Sequence, residues 1–442
     1  MLKITKFGGS SVANATQFKK VKQIIEEDPS RRYIVVSAPG KQFSGDNKIT
    51  DLLYLIDAHR QYHVDASNVF SLIRNRFIEI KETLHLKQPI EKELDHFYAN
   101  LSKMNQAQIV SRGEYFCAKL MAEYLGYAFV DAKDVIRFKL DKSIDWPATT
   151  HKLQAKCTQY EHFVFPGFYG AFANEQIHTF SRGGGDITGA ILARAIQADI
   201  YENWTDVSGF LMADPTIVKH PKQITHISYS ELRELSYMGA SVLHEEAIFP
   251  VKEVNIPIHI LNTNRPQDAG TIIQEQTHHQ SPYAITGIAG KKGFVSIYIY
   301  KKHMSSEIGY IRKVLSIFEA YHISIEHIPS GIDSFSVVVS QNDIEDCLYE
   351  ILSRIKNELH PDDLKVKDDL ALISTVGKNM SEKPGTSGKL FASLGLHHIN
   401  IIMIAQGSDE INITVGVKTK DFEKTIQVIY STFVESEGDS NE

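Results

Sequence analysis

Two short glycine stretches stand beside charged residues, and each could bind an anion. Ser181-Arg182-Gly183-Gly184-Gly185-Asp186 follows a strand-like His178-Thr179-Phe180 and precedes the apolar, helix-favouring run Ala190–Ala195. Successive glycines reach backbone angles closed to other residues. Such a loop can turn several N–H groups toward one point, and a helix start adds its free N–H groups and its dipole. Arg182 and Asp186 bring a cation and a proton-accepting carboxylate to that nest. Gly8-Gly9-Ser10-Ser11, with Lys6 just ahead of it, lies between the alternating run Leu2–Phe7 and a helical stretch carrying Phe18, Val21, Ile24 and Ile25 on one face. Either loop alone also fits a tight turn with a surface charge. Together they match what phosphoryl transfer requires, which is positioning and charge neutralisation rather than covalent help. Glu114, in Ser111-Arg112-Gly113-Glu114, opens a further helical run. A carboxylate there suits the helix dipole; paired with an arginine it could also hold an amino acid by its ammonium and carboxylate groups.

These residues need a scaffold, and the surrounding pattern supplies strands and helices in alternation. Arg32–Ala38 is strongly β-prone, and Tyr127–Val130, Phe163–Phe168 and Ile256–Ile260 read as further strands. That order predicts a mainly parallel sheet with helices on both faces. Thr50 reads as the N-cap of a helix starting at Asp51. Residues to about 107 read as a helical excursion with Val69, Ile73, Phe77 and Ile80 on its apolar face, and Glu231–Phe249 as helical but for Gly239. Thr205 and Asp206 fall at a strand end, where they either bond a nucleotide or close an Asx-type turn. The chain has no G-x-x-x-x-G-K-[ST], no strand–G-x-G-x-x-G–helix unit with a well-placed acid and no Gly-x-Ser-x-Gly elbow. A P-loop, a Rossmann dinucleotide site and an α/β-hydrolase are therefore disfavoured.

The 442 residues allow two or three domains, and 43% hydrophobic with 23% charged content is that of a globular protein. A net charge of −7 argues against nucleic acid as a partner. No apolar signal region opens the chain and no apolar run reaches membrane-span length, so a cytoplasmic protein without membrane attachment is expected. The three scattered cysteines, Cys117, Cys157 and Cys347, fit reduced thiols. No metal site is expected: His278-His279 has no Cys, Asp or Glu at ligand spacing, and the stretch 276–283 reads as a linker.

The last third repeats itself. Residues 304–339 match 380–415 at a constant offset of 76, with Met304/Met380, Gly309/Gly385, His322/His398, Gly331/Gly407 and Asp333/Asp409 among the identities. An alternating strand precedes each copy and a helix follows it, giving β-α-β-β-α, close to a ferredoxin-like βαββαβ unit. Two such modules could hold a small ligand at their seam, or serve as a duplicated dimerising domain.

Taken in order, Lys6-Phe7-Gly8-Gly9-Ser10-Ser11-Val12, Val36-Ser37-Ala38, Ser111-Arg112-Gly113-Glu114, Arg182-Gly183-Gly184-Gly185-Asp186, Thr205-Asp206-Val207-Ser208-Gly209, Ala213-Asp214-Pro215 and Met238-Gly239-Ala240-Ser241-Val242-Leu243-His244 resemble the aspartate kinases of the amino acid kinase family. The repeat resembles that family's tandem ACT modules. The resemblance implies an α/β/α kinase domain over 1–280, ACT modules over 284–365 and 366–442, and ATP- and Mg²⁺-dependent phosphorylation of the L-aspartate β-carboxylate. It implies catalytic roles for Lys6 and Asp186 and substrate contacts from Thr50, Glu114, Arg182 and Gly183. Nucleotide contacts would come from Lys6, Gly8, Gly9, Ser10, Thr205, Asp206, Phe210 and Asp214. An amino-acid effector, L-lysine, would touch Met304, Gly309, Tyr310, Glu326, Ser330 and Asp333 in a homodimer or dimer of dimers joined through the ACT modules. Two positions depart from the family pattern: Thr216 where arginine is usual and Ser241 where lysine is common. Lys219 or Lys222 could substitute. A kinase for glutamate or N-acetylglutamate, and a decayed amino-acid sensor, are the competing readings.

Overall fold

A computed structural model describes residues 1–181, 183–240, 243, 248–275, 282–381 and 383–436. The chain forms two compact units. The first comprises 1–210, 223–229 and 242–278, and the second 211–222, 230–241 and 279–442.

The first unit is built on a sheet of eight strands: β1 (Lys3–Phe7), β2 (Arg31–Val36), β3 (Ala128–Phe129), β4 (Phe163–Pro166), β5 (Ile200–Thr205), β6 (His226–Ile227), β7 (Ile258–Asn262) and β8 (Thr271–Ile273). Their order is β6-β8-β7-β5-β1-β2-β4-β3, and of the pairings described only β7–β8 is antiparallel. Ile34, Val35 and Val36 are fully buried, as expected of a central parallel strand covered on both faces. The chain runs from β1 outward to β2 and β4, then returns to the far side of β1 for β5. The order therefore reverses between β1 and β5, where open α/β sheets place their ligands.

Helix α1 (Ala15–Glu26) buries Phe18, Val21, Ile24 and Ile25, and the Asn14 side chain caps it by accepting the Gln17 N–H. Helix α2 (Ile49–Gln61) starts earlier than the sequence suggests. The Ile49 N–H donates to the Pro39 carbonyl at 3.1 Å, so Thr50 lies inside the first turn and does not cap it. Helix α3 (Ser67–Thr83) carries the expected apolar face, and α4 (Arg112–Leu125) and α5 (Gly184–Ala195) open at the two polar motifs. The helix expected over Glu231–Phe249 is shorter. Helix α6 (Tyr229–Tyr237) stops before Gly239, whose φ of +107° no helix can accommodate.

In the second unit, β9 (Gly287–Tyr300), α7 (Tyr310–Ala320), β10 (Ser334–Ser340), α8 (Leu348–Leu359), β11 (Asp363–Val376), α9 (Thr386–Leu396), β12 (Met403–Ala405), β13 (Asn412–Val417) and α10 (Phe422–Tyr430) follow in turn. The five strands form one sheet in the order β10-β9-β11-β13-β12. Strands β9 and β11 span 14 residues each and pair antiparallel along their length. This is how each repeat gains its last strand. The second half of β9 opens the first module, which the first half of β11 completes; the second half of β11 opens the second module, which the first half of β9 completes. Both copies place the same special backbone angles at matched identities: φ is +77° at Gly309 and +93° at Gly385, and +57° at both His322 and His398. Among the described residues, no helix is long and apolar enough to cross a membrane.

Candidate active site

Lys6 ends β1, and its neighbour in parallel register on β5 is Asn203. Lys6 is 6% exposed. Its ammonium lies 2.5 Å from Asp186 Oδ1 and donates to Asn203 Oδ1 at 3.2 Å. Asp186 sits in the first turn of α5. Gly183 caps that helix with φ +78°, a left-handed angle that costs a residue with a Cβ about 1–2 kcal/mol. The glycines therefore start the helix itself, and its first N–H groups, which have no partner within the helix, open beside the ion pair. Gly185 allows α5 to lie against the end of β2: a Cβ there would stand 2.7 Å from Ser37 Oγ and 3.4 Å from Lys6 Cε. The second glycine loop joins the same place. The Gly8 N–H donates to the Trp204 carbonyl at 2.9 Å, and the Gly9 carbonyl accepts from Gly40 at 2.8 Å.

Glu114 reaches this region from α4. It is 5% exposed, and its Oε2 has no hydrogen-bond partner. Burial pushes its carboxyl up to about 8, although its own N–H and that of Ala38 favour the ionised form. The substituent-free Gly113 packs against Ala38, where a Cβ would stand 2.7 Å from the Ala38 Cβ. So Ser37-Ala38, at the end of β2, touches both the Lys6–Asp186 side and the Glu114 side. A buried carboxyl with one unbonded oxygen, one short segment from an ammonium–carboxylate pair and a helix start, is an arrangement able to take a zwitterion next to a polyanion.

The other sequence-derived residues fall as follows. Thr50 is half-buried in the first turn of α2, and Ser10 is half-buried beside Gly9. Thr205 ends β5 and donates to Asp206 at 3.2 Å, while Asp206 is exposed. Phe210 is 2% exposed and its N–H donates to Thr271 Oγ1 at 2.8 Å, so packing is what it offers. Asp214 belongs to the second unit, where its Oδ1 accepts both the backbone N–H and the hydroxyl of Thr216. Arg182 and Ser241 lie outside the described residues, as do residues 276–281 of the expected linker. Two further residues, not singled out from sequence, join the site: Asn203, and Tyr201, whose hydroxyl donates to the Asp186 carbonyl at 3.0 Å.

In the second unit, Tyr310 is 1% exposed with a hydroxyl lacking a partner, and its ring meets Phe335 edge-on. Ser330 bridges to Phe335, the Asp333 carbonyl accepts the Lys301 N–H at 2.9 Å, and Met304 is buried just beyond. Gly309 caps α7. The Glu326 carboxylate accepts the Tyr237 hydroxyl at 2.5 Å.

Residues 1–262 match the model of the amino acid kinase family and residues 373–433 that of an ACT domain. The chain belongs to the amino acid kinase family, with ACT modules following the kinase fold. Within that family it groups with the aspartate kinases. It is 38% identical to aspartokinase 3 of Bacillus subtilis (strain 168), over 98% of each chain. The solved aspartate kinase of Clostridium acetobutylicum is 47% identical, with a TM-score of 0.91 over 98% of this chain and 99% of that one. The lysine-sensitive aspartokinase 3 of Escherichia coli (strain K12) is 26% identical over 98% of this chain and 99% of its own length.

Proposed function

We propose that the chain transfers the γ-phosphoryl group of ATP to the β-carboxylate of L-aspartate, forming 4-phospho-L-aspartate and ADP. What carries this reading is the Lys6–Asp186 pair at the start of α5, one segment away from the buried Glu114. An aspartate side chain, with a reference pKa of about 3.9, is already ionised at neutral pH and needs no general base. Its oxygen forms a bond to the γ-phosphorus as the bond to the β,γ-bridging oxygen breaks, and that electron pair leaves with ADP. The obstacle is repulsion between two anions. The Lys6 ammonium and the helix N–H groups meet the charge spread over the moving phosphoryl oxygens, and Asp186 anchors the ammonium. Glu114 takes the substrate ammonium, Thr50 helps to position the substrate, and Arg182 with Gly183 takes the α-carboxylate. Gly8, Gly9, Ser10, Thr205 and Asp206 serve the nucleotide.

Among the described residues no three His, Cys, Asp or Glu side chains cluster into a protein-made cage. That suits Mg²⁺, which commonly keeps its waters and binds through substrate phosphates and one or two carboxylates; Asp206, exposed at the end of β5, is the carboxylate this chain offers. A Mg²⁺ ion held by Asp206 would supply charge neutralisation for the nucleotide phosphates. Residues 1–280 carry the catalytic part and 284–442 the two regulatory modules, which exchange strand halves through β9 and β11, of a cytoplasmic homodimer or dimer of dimers. L-lysine is the effector: the lysine-sensitive relative supports it, and Glu326 and Asp333 suit a cationic side chain. Inhibition requires that lysine bind two states of the protein unequally.

A coupled ADP-release assay tests this reading with aspartate, glutamate and N-acetylglutamate, with lysine, threonine or methionine added. Turnover with aspartate alone, inhibited by lysine, is expected. Turnover with glutamate in place of aspartate contradicts the substrate assignment, and no turnover with any acid supports the sensor reading.

A further inference from the structure

Asn203 is an unfavourable choice for its place. It lies near the middle of an eight-stranded sheet, between Lys6 on β1 and Ile260 on β7, and is 3% exposed. Asparagine is depleted in strands, and burying an amide costs free energy unless both of its ends are bonded. Both ends are. Oδ1 accepts from the Lys6 ammonium at 3.2 Å and Nδ2 donates to Asp186 Oδ1 at 2.9 Å. A carboxamide oxygen only accepts and its nitrogen only donates, so the two charges fix the amide's orientation and the amide fixes both charges. Two residues earlier on the same strand face, the Tyr201 hydroxyl holds the Asp186 main chain. The group is neutral, so it orders the ion pair without diluting the ammonium's charge.

We propose that Asn203 is a positioning residue for phosphoryl transfer, holding the Lys6 ammonium and the Asp186 carboxylate in fixed relation to the start of α5. The inference rests on the role given to Lys6 above. It is tested by steady-state kinetics on the full-length Asn203→Leu and Asn203→Asp variants, with Lys6→Met as the reference and circular dichroism to confirm folding. Leucine removes both bonds. Aspartate keeps the shape but turns an acceptor toward Asp186. Both variants should lose about tenfold to a hundredfold in kcat, the scale for small misplacements of reacting groups, with KM for ATP and for aspartate within about twofold. Should the leucine variant fail to fold, the isosteric aspartate variant decides. A kcat within threefold of the parent, or a loss carried by KM alone, overturns the proposal. If Lys6→Met itself retains turnover, the reading of the site fails; if Lys6→Met is inactive while the Asn203 variants are not, only this inference fails.

Discussion

Glu114 makes the site sensitive to pH. Its carboxyl is pushed up to about 8 by burial, whereas an unfolded glutamate titrates near 4.3. Below about pH 4 both states hold the proton. Between there and about 8 only the folded chain holds it, so stability falls as pH rises through that window and levels off above it. Denaturant titrations of the ligand-free protein from pH 5 to 9 should show this fall, on the order of a few kcal/mol, and Glu114→Gln should abolish it. A flat profile in the parent would contradict a carboxyl whose proton is held by burial. Because an arriving ammonium favours the ionised form, aspartate binding near pH 7 should also release a proton, readable by calorimetry in two buffers of different ionisation enthalpy. At this scale the residue types were legible in sequence: Lys6 and Asp186, each beside a glycine loop, are what the structure brings together. Asn203 was not legible, because a polar residue among Tyr201, Glu202 and Trp204 carries no mark of the two strands that flank it.

Packing between elements decides how closely the helix start can approach the strand ends. Gly185→Ala places a Cβ 2.7 Å from Ser37 Oγ. The strain, about 1–3 kcal/mol, is offset by alanine's helix preference of about 1 kcal/mol, so a modest loss of stability is expected. In a Ser37→Ala background the obstacle is gone and the preference remains. There, adding Gly185→Ala should raise Tm; a further fall would show that Ser37 is not what the glycine accommodates. The alternation of strands and helices was legible from hydrophobic spacing, and so was the repeat. The sharing of β9 and β11 was not. The glycines and lysines of Gly287-Ile288-Ala289-Gly290-Lys291-Lys292-Gly293, and Lys365, Lys367, Asp368 and Asp369, break the apolar alternation that marks a strand. Pairing with a partner strand overrides both local patterns. The early start of α2 likewise depended on a distant carbonyl, that of Pro39.

For the whole molecule, regulation and catalysis must be coupled through a difference in binding between states. Glu326 is the acidic group best suited to a cationic effector, and it is occupied by the Tyr237 hydroxyl, whose own pKa is raised to about 12 by burial and by that bond. Glu326→Ala should raise the lysine concentration for half-inhibition by about tenfold or more, since a charge-assisted hydrogen bond is worth about 1.5–3 kcal/mol. An unchanged inhibition curve would point to another effector or another seam. Such coupling has meaning only if the first unit performs the transfer itself, and that depends on the ammonium at the end of β1. The most direct measurement is aspartate-dependent ADP release by purified, folded Lys6→Met protein. A fall in kcat of at least about a hundredfold is expected, the scale for removing one charge-stabilising group from a transition state. A kcat within a few-fold of the parent would contradict it.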